Sequence, residues 1–321
     1  MSIPNKRKPG RPRKVATTPG EAAPVATVKV EEAVPVVAPE SNGHPVAATA
    51  VEQPKPQFPM LPEKVKILVA SLSYNGWVRQ EMIGFVSGMF EQMREHPRLG
   101  ELRVATSSGY PCDRVRNDLC KKAAENGFHF LLMLDNDMKF DCLLGRDPQA
   151  KPFLPTAFDF LVNRKEPAVI GAPYTGGPPE QRVMVMRWRD STPDLTLGEG
   201  MKLESFTREE AAERTGIERV AGLPTGCLLI DLRCLQALPP PWFAYEFGDP
   251  PFNTVLASTE DIVFTRNLDW VGIEQYVAWD CWCGHIKEFT TGKPRVVNPN
   301  DVPRAIWKVA KAGKVPPQYD W

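Results

Sequence analysis

Short, continuously apolar runs alternate along the chain with segments whose apolar residues recur at helical spacing. Residues 65–72 form such a run, and residues 78–96 follow with one apolar stripe, which predicts a strand and then a helix with that stripe in the core. The pattern repeats as a strand at 102–106, a helix over 111–127 that opens with proline and closes with glycine, and a strand at 128–134. This order predicts an α/β fold with a mostly parallel sheet and right-handed crossovers. The helical stripe consists of Met82, Ile83, Val86, Met89, Phe90 and Met93.

Beyond residue 140 the alternation continues less regularly, starting with a polar loop at 141–151. We find no internal repeat and no second domain, so residues 63–321 are predicted to form one domain. The predicted helices are 153–164, 208–215, 232–237 and 258–270, the predicted strands are 168–172, 183–188 and 276–282, and a short amphipathic segment lies around 306–310.

Residues 1–62 follow neither pattern. Twelve prolines fall between Pro4 and Pro62, separated mainly by Val, Ala, Glu and Thr without a helical or strand period. Such a segment buries too little apolar surface to offset its ordering entropy, so we predict a disordered tail. Charge also sets the start of the tail apart. Residues 1–14 carry six of the 39 Lys and Arg and no acid, which leaves 33 basic residues against 39 acidic ones in the rest of the chain.

The basic block at residues 6–14 reads Lys-Arg-Lys-Pro-Gly-Arg-Pro-Arg-Lys. It resembles an AT-hook, whose Gly-Arg-Pro core is flanked by cations. Glycine and proline keep the backbone thin and extended, and arginine is attracted to the negative potential of a narrow, A·T-rich minor groove. We therefore predict that Arg11, Pro12 and Arg13 bind DNA. A generic basic tail or a nuclear-import-like patch is the alternative.

Composition also bears on the compartment. The chain has no apolar stretch long enough to span a membrane, and its basic N-terminus lacks the apolar run of a signal peptide. Seven cysteines, an odd number scattered through a large domain, are typical of reduced thiols. We expect a cytoplasmic protein, in a bacterium or a phage-infected host, with no membrane partner.

The apolar run at 128–134 ends in Asp135-Asn136-Asp137. A run without polar alternation is typical of a strand buried on both faces, and ligands of parallel sheets bind beyond the carboxyl ends of the strands. Two carboxylates at that end predict a site for a divalent cation, which takes further oxygens from phosphates when it has few carboxylate ligands. The alternative is a simple polar turn.

Two further sites of acid or imidazole chemistry follow. Glu260 and Asp261 fall in the first turn of a predicted helix, and His285 follows the last strong strand in the sequence Cys-Trp-Cys-Gly-His. Each has a structural alternative. The two acids could serve only to cap the helix. Cys281, Cys283 and His285 could belong to a zinc site, which would need a fourth ligand nearby.

The order of these motifs resembles that of nucleotide-sugar glycosyltransferases of the GT-A fold and is similar to family 2. After the opening strands and helices come Asp-x-Asp at 135–137, Thr-Gly-Cys-Leu-Leu-Ile at 225–230, Pro-Trp-Phe at 241–243, Glu-Asp-Ile-Val-Phe at 260–264 and Cys-Gly-His-Ile at 283–286. The resemblance covers residues 65–288 and implies a single Rossmann-like GT-A domain. The basic tail is not part of the family domain, and the chain lacks the long C-terminal membrane segment of processive polysaccharide synthases.

The resemblance implies a role for each matching residue. Asp135, Asp137 and His285 would bind manganese or magnesium, with Asp135 also near the ribose, and Asp261 beside Glu260 would deprotonate the acceptor hydroxyl. The residues implied to lie against the nucleotide sugar are Ser71, Ser73, Arg114, Arg116, Asn117, Asp135, Thr225 and Gly226.

The implied activity is metal-dependent transfer of a hexose from a nucleotide-diphosphate donor, here a UDP-sugar, to a hydroxyl group, with inversion if Asp261 is the base. The tail directs the acceptor hypothesis to a hydroxymethylated base in DNA, as in phage DNA modification. One alternative acceptor is a saccharide, protein or small molecule, with the tail used only for localisation. Another alternative is a DNA-binding protein whose GT-A domain is inactive.

Overall fold

The structure is a computed structural model that describes residues 57–73, 76–109, 111–176, 181–188, 203–248 and 255–286. The basic block at 6–14 and the amphipathic segment around 306–310 lie outside the described residues. The helices are α1 (Gln80–Met93), α2 (Cys112–Glu125), α3 (Phe153–Val162), α4 (Arg208–Ala212) and α5 (Glu260–Trp270), with a 3₁₀ helix at Leu232–Gln236. The strands are β1 (Val65–Ser73), β2 (Leu99–Ser108), β3 (Phe130–Asp135), β4 (Met138–Lys139), β5 (Ala168–Gly171), β6 (Met186–Trp188), β7 (Leu203–Ser205), β8 (Ile217–Val220), β9 (Cys227–Asp231), β10 (Glu246–Gly248), β11 (Val255–Ser258), β12 (Glu274–Ala278) and β13 (Gly284–His285).

Seven of the described strands form one sheet in the order β2-β1-β3-β9-β5-β12-β8. β1 is parallel to β2 and β3, and β12 is parallel to β5. β9 is antiparallel to both β3 and β5, and β8 is antiparallel to β12. All strands of this sheet except β8 and β9 therefore run in one direction. The predicted α/β class with a mostly parallel sheet is confirmed, and it is consistent with the single GT-A domain that the resemblance implied.

The central strands are buried on both faces, each in its own core. Leu131 and Met133 of β3 lie in the first core, and Phe130 and Leu132 lie in the second, all with 0 % exposure. α2 covers the first face, and α1 and α3 cover the second. This two-sided burial explains why the run lacks polar alternation. It also makes Asp135, the last residue of β3, the first polar side chain at the carboxyl edge of the sheet.

The last strand is shorter than predicted. The strand expected at 276–282 is β12, which begins at Glu274 and ends at Ala278. The chain then turns, which buries Cys281 and Cys283 in the second core and lets β13 pair with β4. The apolar run gave no sign of this turn because three of its residues, Trp279, Cys281 and Cys283, are themselves buried.

The apolar stripe of α1 is wider than the face that α1 buries. Met82, Met89 and Met93 are buried, whereas Ile83 and Phe90 are 59 % and 40 % exposed. The prediction that the whole stripe belongs to the core is therefore wrong for Ile83 and Phe90. Periodicity defines the direction of an apolar stripe but not the width of the surface that covers it.

A buried ion pair at the end of β9 holds the start of the domain in place. Arg233 donates through Nη2 to Asp231 Oδ2 over 2.7 Å, and through Nη1 to the carbonyl oxygens of Pro59 and Lys165, both over 2.9 Å. Arg233 is 5 % exposed and Asp231 is 1 % exposed. The pair thus ties residues 57–62 to the sheet at a point where neither charge reaches water.

We expect Arg233→Ala to lower the free energy of unfolding by about 3–5 kcal/mol, because it leaves the Asp231 charge buried and unpaired. Urea denaturation measures this change. Arg219→Ala is the matched control, since Arg219 pairs with Glu274 at 3.5 Å while 61 % exposed, and it should cost no more than about 1 kcal/mol. Equal losses in both variants would contradict this account of the buried pair.

Asp269 makes stability depend on pH. Burial raises the pKa of this α5 carboxyl to about 7, although a hydrogen bond with Gln275 opposes the shift. The folded protein therefore holds the proton more tightly than the unfolded chain, and the free energy of unfolding should fall as pH rises from about 4 to about 7. We expect Asp269→Asn to abolish this part of the fall, a difference of at least about 1 kcal/mol between pH 5 and pH 8. Urea midpoints with the same pH dependence in both proteins would contradict the prediction.

Candidate functional site

Several segments meet where β3 reaches the carboxyl edge of the sheet. β3 ends at Asp135, β1 ends at Ser73, and α5 begins at Glu260. The pairing of β13 with β4 brings His285 to Asp137. The charges of Asp137, Asp261 and His285 all act on Asp135. The structure thus brings together five of the residues predicted for catalysis and metal binding, namely Asp135, Asp137, Glu260, Asp261 and His285.

The buried side chain of Arg116 links two of these carboxylates, those of Asp135 and Glu260. Its Nη2 lies 3.1 and 3.2 Å from the two carboxylate oxygens of Asp135, and its Nε lies 3.3 Å from Glu260 Oε1. The side chain is only 3 % exposed. Burial alone would lower the pKa of the guanidinium, but Asp135 and Glu260 raise it, so the group stays charged. The resemblance implied that Arg116 lies against the nucleotide sugar, and in the structure its guanidinium pairs with Asp135 and Glu260.

The acids around Arg116 hold their protons more tightly than free carboxyls. Burial raises the pKa of Asp135, Arg116 opposes this shift, and the charges of Asp137 and Asp261 add to it. Burial likewise raises the pKa of Glu260, which also accepts a hydrogen bond from the Tyr245 hydroxyl. Removing Arg116 would leave these carboxyls desolvated without a cation, so the ionised state of the site depends on it.

His285 has a defined tautomer and faces a carboxylate. Its Nδ1 lies 3.0 Å from the carbonyl oxygen of Thr175, which can only accept a hydrogen bond, so Nδ1 carries a proton. Its Nε2 lies 3.1 Å from Asp137 Oδ2. An unprotonated Nε2 would direct its lone pair at this carboxylate oxygen, and a cation bound by both atoms would remove that repulsion.

The chemistry of this pair fits a divalent metal. A metal-binding histidine normally donates its other N–H to a carbonyl or carboxylate, as Nδ1 of His285 does. Among the described residues, no group of three or more His, Cys, Asp or Glu side chains could hold a metal ion by itself. The zinc alternative for Cys281, Cys283 and His285 therefore finds no support among these residues. All seven cysteines are unpaired thiols, as expected.

Asp261 lies at the N-terminus of α5. Thr259 is the N-cap, one residue after the predicted start of the helix. Asp261 Oδ1 accepts a hydrogen bond from the backbone N–H of Ile262 over 2.9 Å and another from the Thr259 hydroxyl. Exposed N–H groups and the helix dipole stabilise an ionised carboxylate there. Asp261 therefore stabilises the start of α5 and also lies in the acidic cluster.

Gly226 is a glycine because Tyr174 lies against it. A Cβ atom at Gly226 would stand 2.9 Å from both Cε1 and the hydroxyl oxygen of Tyr174. The backbone N–H of Gly226 donates to that hydroxyl, and burial raises the pKa of Tyr174. The Tyr174 ring also meets the His285 ring edge-on, with centroids 5.3 Å apart. The sequence placed Gly226 and the buried Thr225 against a donor sugar, but it missed Tyr174 as the neighbour that requires the glycine.

Asn136, between the two aspartates, clamps the loop that leads into α1. Its Oδ1 accepts from the backbone N–H of Arg79 over 3.0 Å, and its Nδ2 donates to the carbonyl oxygen of Trp77 over 2.9 Å. The hydroxyl of Ser73 donates to the same Trp77 oxygen over 2.7 Å. The side chain of Trp77 on this loop is 76 % exposed. No spacing in the sequence links Asn136 to residues 77–79, so this role could not be predicted.

Three other predicted contact residues have different surroundings. Asn117 donates to the carbonyl oxygens of Asp113 and Phe243 and accepts from the N–H groups of Trp242 and Phe243, so its amide is fully used in holding that loop. Arg114 is exposed on α2. Ser71 is buried, and its hydroxyl has no hydrogen-bond partner among the described residues.

The chain resembles known proteins at the level of solved structures. No protein-family profile and no curated protein matches the chain. Among solved structures, it is similar to "A197 from STIV", with a TM-score of 0.45, 15 % identity, and coverage of 70 % of this chain and 87 % of that one. It is also similar to GalNAc-T7, solved with UDP, GalNAc and Mn²⁺, with a TM-score of 0.38, 13 % identity, and coverage of 70 % of this chain and 44 % of that one. Likenesses this distant do not carry a functional argument, which therefore rests on the site.

None of the helices in the described part of the chain combines the length and the apolar character that crossing a bilayer requires.

We expect Asn136→Ala to release the loop at residues 77–79, because it removes both clamping hydrogen bonds. Amide exchange at Arg79 should quicken about fivefold, as the loss of about 1 kcal/mol implies. Asn136→Asp is the matched control, since it keeps the oxygen that accepts from Arg79 and should keep that amide protected. An Arg79 amide whose exchange is unchanged in Asn136→Ala would contradict the clamp.

Proposed function

We propose that the chain is a metal-dependent glycosyltransferase that moves a sugar from a nucleotide-diphosphate donor to a hydroxyl acceptor. The observation that carries the proposal is the Asp137–His285 pair, at 3.1 Å, beside the acidic start of α5. The pair offers a divalent cation two protein ligands, and Glu260 with Asp261 offers carboxylate chemistry at the same edge of the sheet. A transferase of this kind needs both functions for one substrate pair.

The metal-binding part of the proposal assigns Asp137 and His285 as ligands of Mn²⁺ or Mg²⁺, with Asp135 close by. When bound, the cation would neutralise charge that develops on the departing diphosphate. The protein residues prepare this site. The carbonyl of Thr175 fixes the His285 ring with Nε2 towards Asp137, and a pair of protein ligands leaves room for phosphate oxygens.

The acid–base part assigns Asp261 as the group that accepts the proton of the acceptor hydroxyl. Its contacts with the Thr259 hydroxyl and the Ile262 N–H keep its carboxylate oriented at the helix start. Glu260 is held by Arg116 and Tyr245 and acts as the neighbour that positions the pair. Direct proton removal from the acceptor favours single displacement, and hence inversion at the sugar carbon.

We further propose a UDP-sugar as donor and DNA as acceptor. The argument for DNA is the basic block at 6–14, in which Arg11, Pro12 and Arg13 match the core of an AT-hook. The acceptor hydroxyl would belong to a hydroxymethylated base, which would have to leave the base stack to reach Asp261.

Donor hydrolysis tests the proposed function. With Mn²⁺ and a panel of UDP-, GDP- and TDP-sugars, we expect the protein to hydrolyse one donor and to stop when the metal is chelated. Asp137→Ala should lower the rate at least about 100-fold, because it removes charge stabilisation of the leaving group. Asp118→Ala is the matched control, since Asp118 is an exposed acid on α2 that pairs with Lys122.

The outcomes separate the proposal from its alternatives. No hydrolysis and no nucleotide binding with any donor would contradict a transferase and leave the tail as the main functional feature. With an active donor in hand, hydroxymethylated and unmodified duplexes are compared as acceptors. Transfer to the hydroxymethylated duplex supports the DNA acceptor, whereas hydrolysis without transfer or DNA affinity favours a different acceptor.

A further inference from the structure

A short segment just after β5 contacts the strand that carries His285. The carbonyl oxygen of Pro173 accepts a hydrogen bond from the backbone N–H of Cys283 over 2.9 Å. The carbonyl oxygen of Thr175 lies 3.0 Å from Nδ1 of His285. Tyr174, between the two, meets the imidazole edge-on, with the ring centroids 5.3 Å apart and the ring planes at 76°. This segment therefore contacts His285 through both a hydrogen bond and an aromatic ring.

A single hydrogen bond does not fix the direction of an imidazole ring. The Thr175 carbonyl sets the position of Nδ1, but by itself it would let the ring tilt and move Nε2 away from Asp137. A second contact on the ring restricts this tilt, and an edge-on pair of rings is a favourable arrangement for such a contact. Tyr174 supplies it. The orientation of a metal-binding histidine normally depends on neighbours of this kind.

Tyr174 is itself held at both ends. Its carbonyl oxygen accepts from the backbone N–H of Met184 over 3.0 Å, and its hydroxyl accepts from the backbone N–H of Gly226. The side chain is 7 % exposed and lies in the second core. A Cβ atom at Gly226 would stand 2.9 Å from the hydroxyl oxygen, so the ring keeps this place only because position 226 has no side chain. A ring fixed in this way can orient a neighbour, whereas a mobile ring could not.

These contacts form a closed circuit around the two aspartates and His285. The backbone N–H of Asp135 donates to the carbonyl oxygen of Gly226 over 2.9 Å. Gly226 donates to the Tyr174 hydroxyl, and the Tyr174 ring meets His285. Nε2 of His285 lies 3.1 Å from Asp137 Oδ2, and Asp137 stands two residues after Asp135. The place of the Tyr174 ring therefore bears directly on the geometry of the Asp137–His285 pair.

We propose that Tyr174 is a positioning residue of the metal site. Its ring holds the His285 imidazole with Nε2 towards Asp137, and its hydrogen bond with Gly226 keeps the ring in place. The inference rests on the proposed function, since it takes Asp137 and His285 as the metal ligands. Tyr174 binds neither the ion nor the substrate and acts on the ion only through His285, so its substitution should change the affinity for the metal without removing a ligand.

Mn²⁺ binding to the full-length protein at a fixed UDP concentration tests this role, measured from the electron paramagnetic resonance signal of the unbound ion against a protein-free UDP blank. Tyr174→Leu removes the ring and should weaken binding at least about tenfold, as the loss of a neighbour that orients a ligand does. Tyr174→Phe keeps the ring and loses one hydrogen bond, so affinity should stay within about fivefold of the wild type. Tyr276→Leu is the matched control, because Tyr276 also makes an edge-on ring contact, at 4.7 Å, but with Phe160 of α3, and it should leave the affinity unchanged.

Gly226→Ala gives an independent test of the same contact. The added methyl group would stand 2.9 Å from two atoms of the Tyr174 side chain, so the ring has to move. Gly226→Ala should therefore weaken Mn²⁺ binding in the wild type and cost little more in Tyr174→Leu, where the ring is already gone. Losses that add in the double variant would contradict the link between Gly226 and Tyr174.

The outcomes separate this inference from the proposed function on which it rests. Wild-type affinity in Tyr174→Leu would overturn the positioning role alone, and so would a loss in Tyr174→Leu that Tyr174→Phe or Tyr276→Leu matches. No Mn²⁺ binding by the wild type would contradict the proposed function, and the inference with it.

Discussion

A buried guanidinium joins the two halves of the candidate site. Arg116 binds Asp135, 19 residues further along the chain, and Glu260, 144 residues further along. Asp135 closes a strand from the first half of the sheet, whereas Glu260 opens a helix near the end of the described chain. Carboxylates brought together from such distant segments repel one another and lose hydration, and a paired cation offsets both costs. The positions of β3 and α5 relative to each other therefore depend on this arginine.

The two aspartates of the Asp-Asn-Asp motif consequently have different surroundings. Asp135 is engaged by Arg116 through both oxygens, so much of its charge is already balanced inside the protein. Asp137 faces the imidazole of His285, which a backbone carbonyl holds in one orientation. The first aspartate is thus suited to keep the site assembled, and the second to bind a cation shared with a substrate. Asn136 lies between them with its amide directed to the α1 loop.

Hydrophobic periodicity along the sequence predicted some parts of this structure and could not predict others. The run ending at Asp135 was identifiable because burial on both faces removes polar alternation, and the same logic placed the acids at the carboxyl edge of the sheet. The order of the motifs also implied that His285 belongs to the site at this edge of the sheet. The role of Asn117 was not predictable, because its partners Trp242 and Phe243 are more than 120 residues away. Neither was the exposure of Ile83, since helical spacing shows that a stripe exists but not what covers it.

The most direct test of the account is whether His285 binds manganese. Electron spin echo spectroscopy of Mn²⁺ added to the protein with UDP detects nitrogen nuclei bonded to the metal, independently of turnover. The account predicts coupling to one imidazole nitrogen that disappears in His285→Ala while nucleotide binding persists. Bound Mn²⁺ without nitrogen coupling, or coupling that survives in His285→Ala, would contradict the assignment of the Asp137–His285 pair as the metal site.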